Sequence, residues 1–258
     1  MNKYPIFIPS KGRANNCKTA NLLLKYSITN FKIIVEPQDY DAYAAVYSTD
    51  NLLQLPDNNR GLAFARKNCR ASTNADFHWQ MDDDVRKFKK RINRKNVECS
   101  PEEIFDEVEK YADEHTNIGI LGLNHEMFAF GCSKPLSVNK QCSSVCLFRT
   151  NVKAEWRPFI IEDTDYSMQI LTEGYCTVLF SFLLYSVPPS GSEAGGLTDN
   201  QHTKRQMYQQ GLLDAWPGAF TIRYNEKYKR TQVAPSRIWK TFAQQPILRD
   251  SVNLDSFV

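Results

Sequence analysis

The alternation of apolar and polar positions along the first eighty residues predicts four strands and three helices. Short β-rich runs recur between turn residues, and the segments between them carry apolar residues at helical spacing. The predicted strands span residues 4–8, 31–35, 51–55 and 77–81, and the predicted helices span 15–26, 38–47 and 60–72. Because strand and helix alternate, the sequence predicts a mainly parallel sheet with right-handed crossovers.

The rest of the chain continues this pattern less regularly. Ser100, Pro101 and Glu103 form a capping box, with Ser at the N-cap, Pro at the first helical position and Glu three residues after the cap. The motif predicts a helix that ends near His115. Further strands are expected at 118–123, 143–148 and 175–185, and further helices after residue 162 and over 202–213. The predicted fold class is therefore α/β, with a smaller mixed β segment and a helical and irregular C-terminal tail.

Three consecutive aspartates, Asp82, Asp83 and Asp84, end the fourth predicted strand. Adjacent negative charges repel one another, so the cluster needs a compensating cation. We expect Asp82 and Asp84 to share one divalent ion, because alternate residues of an extended chain point to the same side and carboxylate oxygens suit hard cations. Ligands of α/β sheets bind beyond the carboxyl ends of strands, where these aspartates fall. A solvated acidic turn is the alternative interpretation.

A second acidic pair, Glu162 and Asp163, precedes a predicted helix that stops at Gly174. Carboxylates at a helix N-terminus are stabilised by the helix dipole, so capping is one interpretation of the pair. The functional interpretation is a carboxylate base that points into a cleft. A segment rich in Pro, Gly and Ser, residues 188–196, follows the last predicted strand and is expected to form a loop.

Basic side chains occur in the turn after the first predicted strand and in the third predicted helix. Lys11 and Arg13 flank Gly12 in the turn after the first strand, where they and free backbone N–H groups can hold phosphate or uracil-like oxygens. An exposed basic turn is the alternative. Arg66 lies one to two turns into the third predicted helix, whose start at Arg60 and Gly61 permits a close approach, and it can face the aspartates.

Composition and charge narrow the class of protein only slightly. The 258 residues are 42% hydrophobic and 24% charged, which is ordinary for a soluble globular protein. The net charge of +3 is too small to identify a partner. Its distribution is uneven, since residues 86–95 contain seven basic residues and no acidic one, and residues 223–240 contain six basic residues and one Glu. Such clusters are either solvated faces or tracks for a polyanion.

Seven scattered cysteines indicate free thiols in a reducing cytosolic setting. The start of the chain does not read as a signal peptide, and no apolar run approaches the roughly 20 residues that cross a bilayer. We therefore expect no membrane association. The sequence carries no signal for an oligomeric state.

Taken together and in order, these motifs resemble the GT-A glycosyltransferases over residues 4–205. The resemblance implies a GT-A-like sheet in a domain of residues 1–205, with 206–258 as an extension packed on the same domain. It also implies that Asp82 and Asp84 hold Mn²⁺ or Mg²⁺ on the diphosphate of a nucleotide sugar, a UDP-sugar, and that the metal neutralises the leaving group. Asp163, beside Glu162, corresponds to the general base of an inverting transfer. The nucleotide sugar is expected to contact Pro9, Ser10, Lys11, Arg13, Arg60, Arg66, Asp82 and Asp83.

Within that superfamily the chain is more similar to small bacteriophage glycosyltransferases associated with TET/JBP-type hydroxylases, which act as base J glucosyltransferase does. The shared features are the Ile-Pro-Ser-x-x-Arg start, the three aspartates, and Glu-Asp followed by the loop with Gly195 and Gly196. This implies a hydroxymethylated pyrimidine in DNA as acceptor, in the cytoplasm of an infected bacterium. His202 corresponds to a third metal ligand, and His125 competes for that role. Acceptor contacts are expected at Lys89, Lys90, Arg91, Gly195 and Gly196.

Three alternatives to this reading stay open. The acceptor of the transferase can be a protein or a polysaccharide instead of DNA. A sugar nucleotidyltransferase also combines an α/β sheet with acidic metal ligands, but it would open with a Gly-rich phosphate loop, and the first turn has only Gly12. A non-catalytic nucleic-acid-binding module fits the basic runs but leaves both acidic clusters unexplained. If the acceptor is a flipped base, it can stack on Trp156, on Trp216 or on the aromatic tail that includes Tyr224.

Overall fold

The computed structural model describes residues 3–189, 201–226 and 230–249 and shows an α/β fold, as predicted. The helices are α1 Lys18–Lys25, α2 Tyr40–Ala44, α3 Leu62–Ala71, α4 Pro101–Glu114, α5 Glu162–Thr172 and α6 Gln201–Ala215. The strands are β1 Ile6–Pro9, β2 Phe31–Val35, β3 Leu52–Gln54, β4 Phe77–Met81, β5 Lys87–Ile92, β6 Lys95–Cys99, β7 Ile118–His125, β8 Leu136–Val138, β9 Val145–Arg149, β10 Cys176–Ser186, β11 Phe220–Asn225 and β12 Arg230–Pro235.

One large sheet has the strand order β3-β2-β1-β4-β9-β7-β10-β5-β6, with β8 paired to β10. The strands β3, β2, β1 and β4 are parallel, as the β-α alternation predicts. Strand β9 is antiparallel to both β4 and β7, so β7 runs in the same direction as β4, and β10 is parallel to β7. The carboxyl ends of β1, β4 and β7 therefore meet along one edge of the sheet, which we call the site edge.

The centre of the sheet is a closely packed core. All five residues of β4 are buried, because helices cover both faces of a parallel sheet. The indole Nε1 of Trp79 donates to the buried Glu109 of α4 at 2.8 Å, and its ring lies 5.0 Å from that of Phe105. The predicted capping box starts α4, since the Ser100 side chain accepts from the Glu103 backbone N–H and the Glu103 side chain accepts in return. This packing makes β4 a rigid support for the aspartates that follow it.

The basic run after the aspartates forms the hairpin β5–β6, which the sequence pattern did not predict. Strand β5 pairs antiparallel with residues 183–186 of β10, and Phe88 faces the core. The basic tail likewise contains a hairpin, β11–β12, that lies outside the main sheet. Strand β5 owes its structure to pairing with β10 and β6 rather than to a local alternation of apolar residues, whereas Phe220, Ile222 and Tyr224 of β11 do alternate with polar residues.

The C-terminal segment packs on α5. Leu212 of α6 and Phe220 of β11 share an apolar cluster with Ile160 and Met168. Further along, the side-chain amide of Asn139 donates to two backbone carbonyls within residues 242–244. Helix α6 runs across the division expected between residues 205 and 206, and that division stays a prediction.

All seven cysteines are free thiols. Among the described residues, none of the helices combines the length and the apolar character needed to cross a membrane.

Candidate active site

The three aspartates lie in a turn directly after β4, at the site edge. The backbone N–H of Asp82 donates to the carbonyl of Ser144, just before β9, at 2.8 Å. On the other side, the hydroxyl of Thr19 on α1 donates to the carbonyl of Asp82 at 2.5 Å and accepts from the N–H of Val85 at 3.0 Å. The aspartate turn is therefore anchored to a helix and a strand that flank β4. Its backbone is not the extended chain from which we expected Asp82 and Asp84 to point the same way.

The middle residue, Asp83, points away from solvent toward the loop that follows β1. Its Oδ2 accepts from the hydroxyl of Ser10 at 2.6 Å, and its Oδ1 lies 2.5 Å from the guanidinium of Arg13. Ser10 follows Pro9, the last residue of β1, and its hydroxyl lies 2.6 Å from that of Tyr43. Burial raises the pKa of Asp83, while Ser10 and Arg13 oppose that shift. Two residues expected on the nucleotide, Ser10 and Arg13, thus contact Asp83 and join two loops of the site.

The outer aspartates, Asp82 and Asp84, remain accessible, with 35% and 29% of their side chains exposed. Burial raises the pKa of Asp84 to about 6, and the charges of Asp82 and Asp83 add to this shift. The guanidinium of Arg13 lies 3.9 Å from Asp84, beyond hydrogen-bond distance. A carboxylate that lacks a close cation and offers oxygen ligands fits a hard divalent ion.

Other protein ligands for such an ion are scarce in the described part of the chain. No three His, Cys, Asp or Glu side chains of the described residues gather closely enough to hold a metal together. Oxygens of a bound substrate or of water would therefore have to complete the coordination of an ion at Asp82 and Asp84.

Arg66 connects the aspartate turn with the second acidic cluster. Its side chain is buried on α3, where one terminal nitrogen donates to Asp82 Oδ1 at 3.1 Å and Nε lies 3.7 Å from Glu162 Oε1. The other terminal nitrogen donates to the side-chain oxygen of Gln80 at 3.3 Å, and the guanidinium lies 5.3 Å from the ring of Trp156. Burial opposes the positive charge of Arg66, but the two carboxylates raise its pKa above the ordinary value. One charged guanidinium therefore brings together carboxylates that are far apart in the sequence.

Glu162 and Asp163 occupy the first turn of α5. The N-cap is Ile161, which makes no side-chain hydrogen bond, so neither acid serves as the N-cap that one interpretation expected. Asp163 is oriented by Gln141, whose amide donates to Oδ2 at 2.9 Å, and by the N–H of Thr164, which donates to Oδ1 at 2.6 Å. Burial raises the pKa of Asp163, and burial together with the charge of Asp163 raises the pKa of Glu162 to about 7.

Asp165, in the same turn of α5, has a structural role. Its buried carboxylate is paired with the guanidinium of Arg157 through both oxygens. Oδ1 also accepts from Trp216 Nε1 at 2.8 Å, and Oδ2 accepts from Gln169 at 2.9 Å. Asp165 therefore ties α5 to the C-terminal segment and does not face the site.

Comparison with known families identifies the family of the chain. A family model described as TET-Associated Glycosyltransferase matches residues 4–196, which contain both acidic clusters and Arg66. The chain belongs to this family. No curated protein sequence matches it.

Solved structures show that this glycosyltransferase has the GT-A fold, as predicted. Glucosyl-3-phosphoglycerate synthase from Mycobacterium tuberculosis, in complex with Mg²⁺ and UDP, is 10% identical with a TM-score of 0.50 over 91% of this chain and 88% of its own. S. aureus TarS 1-349, in complex with UDP-GlcNAc, is 15% identical with a TM-score of 0.50 over 88% of this chain and 69% of its own. At such identities the likeness concerns the fold alone.

Two other residues expected on the nucleotide make ion pairs away from the aspartates of this glycosyltransferase. The ammonium of Lys11 lies 2.7 Å from Glu36 Oε2 and donates to Asn59 at 2.5 Å. Arg60 is exposed before α3, and its guanidinium lies 3.1 Å from Asp57. The pair of Arg60 with Asp57 is exposed and therefore weak, so Arg60 can change partners when a ligand binds.

The cations expected on the acceptor lie on β5, and two of the three have acidic partners within the chain. Lys89 pairs with Glu126, and Lys90 lies within 3.6 Å of two glutamates of α4. Arg91 instead donates to the neutral Asn96 at 2.8 Å. The basic run is therefore a less open track for a polyanion than its composition indicates.

Three of the expected site positions of this glycosyltransferase fall where the structure gives no description. Gly195 and Gly196 lie outside the described residues, and so does the side chain of His202. His125, the competing third ligand, ends β7 at the site edge, and its Nδ1 accepts from the N–H of Met127 at 3.1 Å. Burial lowers the pKa of His125, which keeps its ring neutral at physiological pH.

Several site residues of this glycosyltransferase escaped the sequence reasoning. Gln80, which holds Arg66, is a polar residue within a buried strand, and that position was an available signal. Gln141 lies in a segment with no local pattern, and Ser144 falls in the strand predicted over 143–148 but precedes β9, so only the fold reveals their contacts with Asp163 and Asp82.

Proposed function

We propose that this glycosyltransferase moves a sugar from a UDP-sugar to a hydroxyl group with the help of Mn²⁺ or Mg²⁺. The observation that carries the proposal is that Arg66 lies between Asp82 of the aspartate turn and Glu162 of α5, so that the two acidic clusters meet. The ligands of the two structures of like fold, UDP with Mg²⁺ and UDP-GlcNAc, support the choice of donor.

On the donor side, Asp82 and Asp84 would hold the cation. When bound, it supplies positive charge that stabilises the diphosphate as the bond to the sugar breaks. Arg66 fixes the carboxylate of Asp82, and the contact of Asp83 with Arg13 holds the turn in place. These residues are therefore arranged before the substrate arrives, which lowers the reorganisation needed in the transition state.

On the acceptor side, Asp163 takes the proton from the acceptor hydroxyl. The hydroxyl oxygen forms a bond to the anomeric carbon of the sugar, while the bond from that carbon to the diphosphate breaks and UDP leaves with the electron pair. Attack opposite the leaving group inverts the configuration at that carbon. Gln141 and Thr164 orient Asp163, and its raised pKa suits a base that works near neutral pH.

We propose a hydroxymethylated pyrimidine in DNA as the acceptor. The name of the family, which refers to an association with TET enzymes, supports this choice. A target base inside a duplex must be turned out of the stack before its hydroxymethyl group can reach a carboxylate such as Asp163. The exposed cations at the β5–β6 hairpin are suited to the phosphates beside such a base.

The test is a mass-spectrometric assay with Mn²⁺, a panel of UDP-sugars and DNA that contains 5-hydroxymethylcytosine or 5-hydroxymethyluracil. Unmodified DNA is the control. We expect a gain of one sugar mass on hydroxymethylated DNA alone. Release of UDP without a change in DNA would keep the transferase but overturn the DNA acceptor, and no reaction with any donor would overturn the proposed donor chemistry.

A further inference from the structure

Three exposed apolar side chains project from one turn at the site edge. Residues 126–131 follow β7 directly, and within them Met127, Phe128 and Phe130 are 69%, 67% and 72% exposed. We call these three residues the apolar turn. Large apolar groups that cluster in solvent mark interaction surfaces more often than single exposed ones do. The apolar turn lies outside the core, which makes it a candidate interaction surface.

A chain of contacts joins the apolar turn to the aspartates. The ring of Phe128 lies 5.7 Å from that of His125, which lies 5.4 Å from the ring of Tyr185 on β10. The Tyr185 hydroxyl reaches the side chain of Ser144, whose carbonyl accepts from the N–H of Asp82 at 2.8 Å. The apolar turn therefore borders the site rather than a remote face.

The cations beside the apolar turn differ in how they are neutralised. Lys89 is paired with Glu126 at the start of the turn. Arg91, by contrast, lies with its guanidinium 4.7 Å from the ring of Phe130, and within the described ranges its one side-chain acceptor is Asn96, a neutral residue. The exposed Arg94 and Lys95 at the tip of the hairpin form no ion pair with any residue that the structure describes. Arg91 thus keeps positive charge beside the exposed ring of Phe130.

This combination matches the chemistry of a nucleic acid strand. Every base offers a flat π face to an aromatic ring, and a guanidinium binds phosphate oxygens through several donors. A neutral polysaccharide would leave Arg91 without an anion, and an apolar protein surface would have to bury its charge without a partner. Among the acceptor classes considered above, nucleic acid therefore uses both the rings and the charge.

We propose that the apolar turn and Arg91 bind the acceptor DNA beside the nucleotide that is modified. Phe128 and Phe130 stack on unpaired or turned-out bases, and Arg91 contacts a neighbouring phosphate. This inference rests on the proposed function, because it takes DNA as the acceptor. It adds a binding surface that lies outside both acidic clusters and on the opposite side of β9 from the aspartates.

The first experiment measures steady-state transfer to a hydroxymethylated oligonucleotide by the full chain and by Phe128→Ala and Phe130→Ala. We expect each change to raise the KM for DNA about tenfold, because a base that stacks on an aromatic ring loses that contact. The Kd for UDP, measured by calorimetry, should stay at the value of the unmutated protein. Phe128→Trp retains a stacking surface, so its KM for DNA should be that of the unmutated protein and not that of Phe128→Ala.

Two control variants test whether a rise in the KM for DNA is specific to the apolar turn. Leu24→Ala removes an exposed apolar side chain from α1 and should leave the KM for DNA unchanged. Tyr224→Ala removes an exposed ring from the C-terminal hairpin, the rival stacking surface. If Tyr224→Ala raises the KM for DNA while neither Phe128→Ala nor Phe130→Ala does, the inference is overturned and the C-terminal hairpin is the stacking surface.

The charge is tested separately by DNA binding at a series of salt concentrations. Arg91→Gln should weaken binding and reduce the slope of log K against log salt by about one, as expected for one lost phosphate contact. Arg91→Lys should retain the slope. If the unmutated protein modifies DNA but these variants and the Phe variants behave like it, this inference alone fails. If the unmutated protein neither binds nor modifies DNA, the proposed acceptor fails and the inference with it.

Discussion

The two acidic clusters of the site are built on the same plan. In the aspartate turn, Asp83 is buried and paired with Arg13, while its neighbours remain accessible. In the first turn of α5, Asp165 is buried and paired with Arg157, while Glu162 and Asp163 lie toward the site. Each cluster thus uses one carboxylate to fix its backbone and leaves the others for chemistry.

The clusters differ in what surrounds the accessible carboxylates. Asp84 lacks a close hydrogen-bond donor cation, whereas Asp163 accepts from Gln141 and from the N–H of Thr164. A metal ligand must give up its oxygens to the ion, but a base must be held in one orientation toward the proton it takes. The comparison therefore supports the proposal that the turn after β4 binds the cation and that α5 supplies the base.

The largest expected effect is that of Asp84→Ala, which removes a ligand of the cation. Transfer should fall by about 10³-fold or more, because the ion stabilises the leaving diphosphate by several kcal/mol. Metal-dependent binding of UDP, followed by calorimetry with and without Mn²⁺, should be lost as well. The melting temperature serves as the control and should change little. Normal activity of Asp84→Ala would contradict the proposal that Asp84 is a ligand of the cation.

Asp163→Asn should separate the two clusters in function. Without the base, transfer should fall by about 10²-fold or more, while the Kd for UDP in the presence of Mn²⁺ is retained. Single-turnover rates and calorimetry on the same preparation give both quantities. Glu162→Gln is the matched variant, because it neutralises the adjacent carboxylate. Loss of UDP binding in Asp163→Asn would place this residue in the metal site instead.

The buried carboxylate of Asp165 should matter for stability. Asp165→Ala leaves Arg157 and the indole N–H of Trp216 without their acceptor, and we expect it to lower the free energy of unfolding by about 3 kcal/mol. Urea unfolding measures the change. Asp106→Ala, at an exposed position of α4, is the matched control and should be neutral. An equally stable Asp165→Ala variant would contradict the structural role of this carboxylate.

The smallest expected effect concerns pH. A carboxylate base works in its ionised form, so activity is lost as pH falls through the raised pKa values of the pair, with Glu162 at about 7. We expect kcat/KM to fall roughly tenfold per pH unit below the raised pKa of Asp163, the proposed base. Asp163→Asn removes the like charge and should lower the pKa of Glu162. The folded fraction at each pH is the control, and a profile that stays flat down to the ordinary pKa of an aspartate, about 3.9, would contradict the raised pKa of the base.

The elements of the first eighty residues followed from the sequence because their signals are local. The strands that end at Pro9 and Met81 are apolar runs bounded by turn residues, and the helices between them have apolar residues at helical spacing. Strand β5 gave no such signal. Its lysines are held in a strand by pairing with β10 and by glutamates such as Glu126, and these partners come from distant parts of the chain.

By itself the sequence determined that two acidic clusters lie after a strand and before a helix, because neighbouring residues and their order decide this. Only the tertiary structure decided that Asp83 points away from its neighbours, since that orientation depends on Arg13 in another loop. The meeting of the clusters is also tertiary, because a buried guanidinium on α3 needs carboxylates from both. Local chemistry therefore identified the groups, and packing across the sheet edge decided which of them can act together.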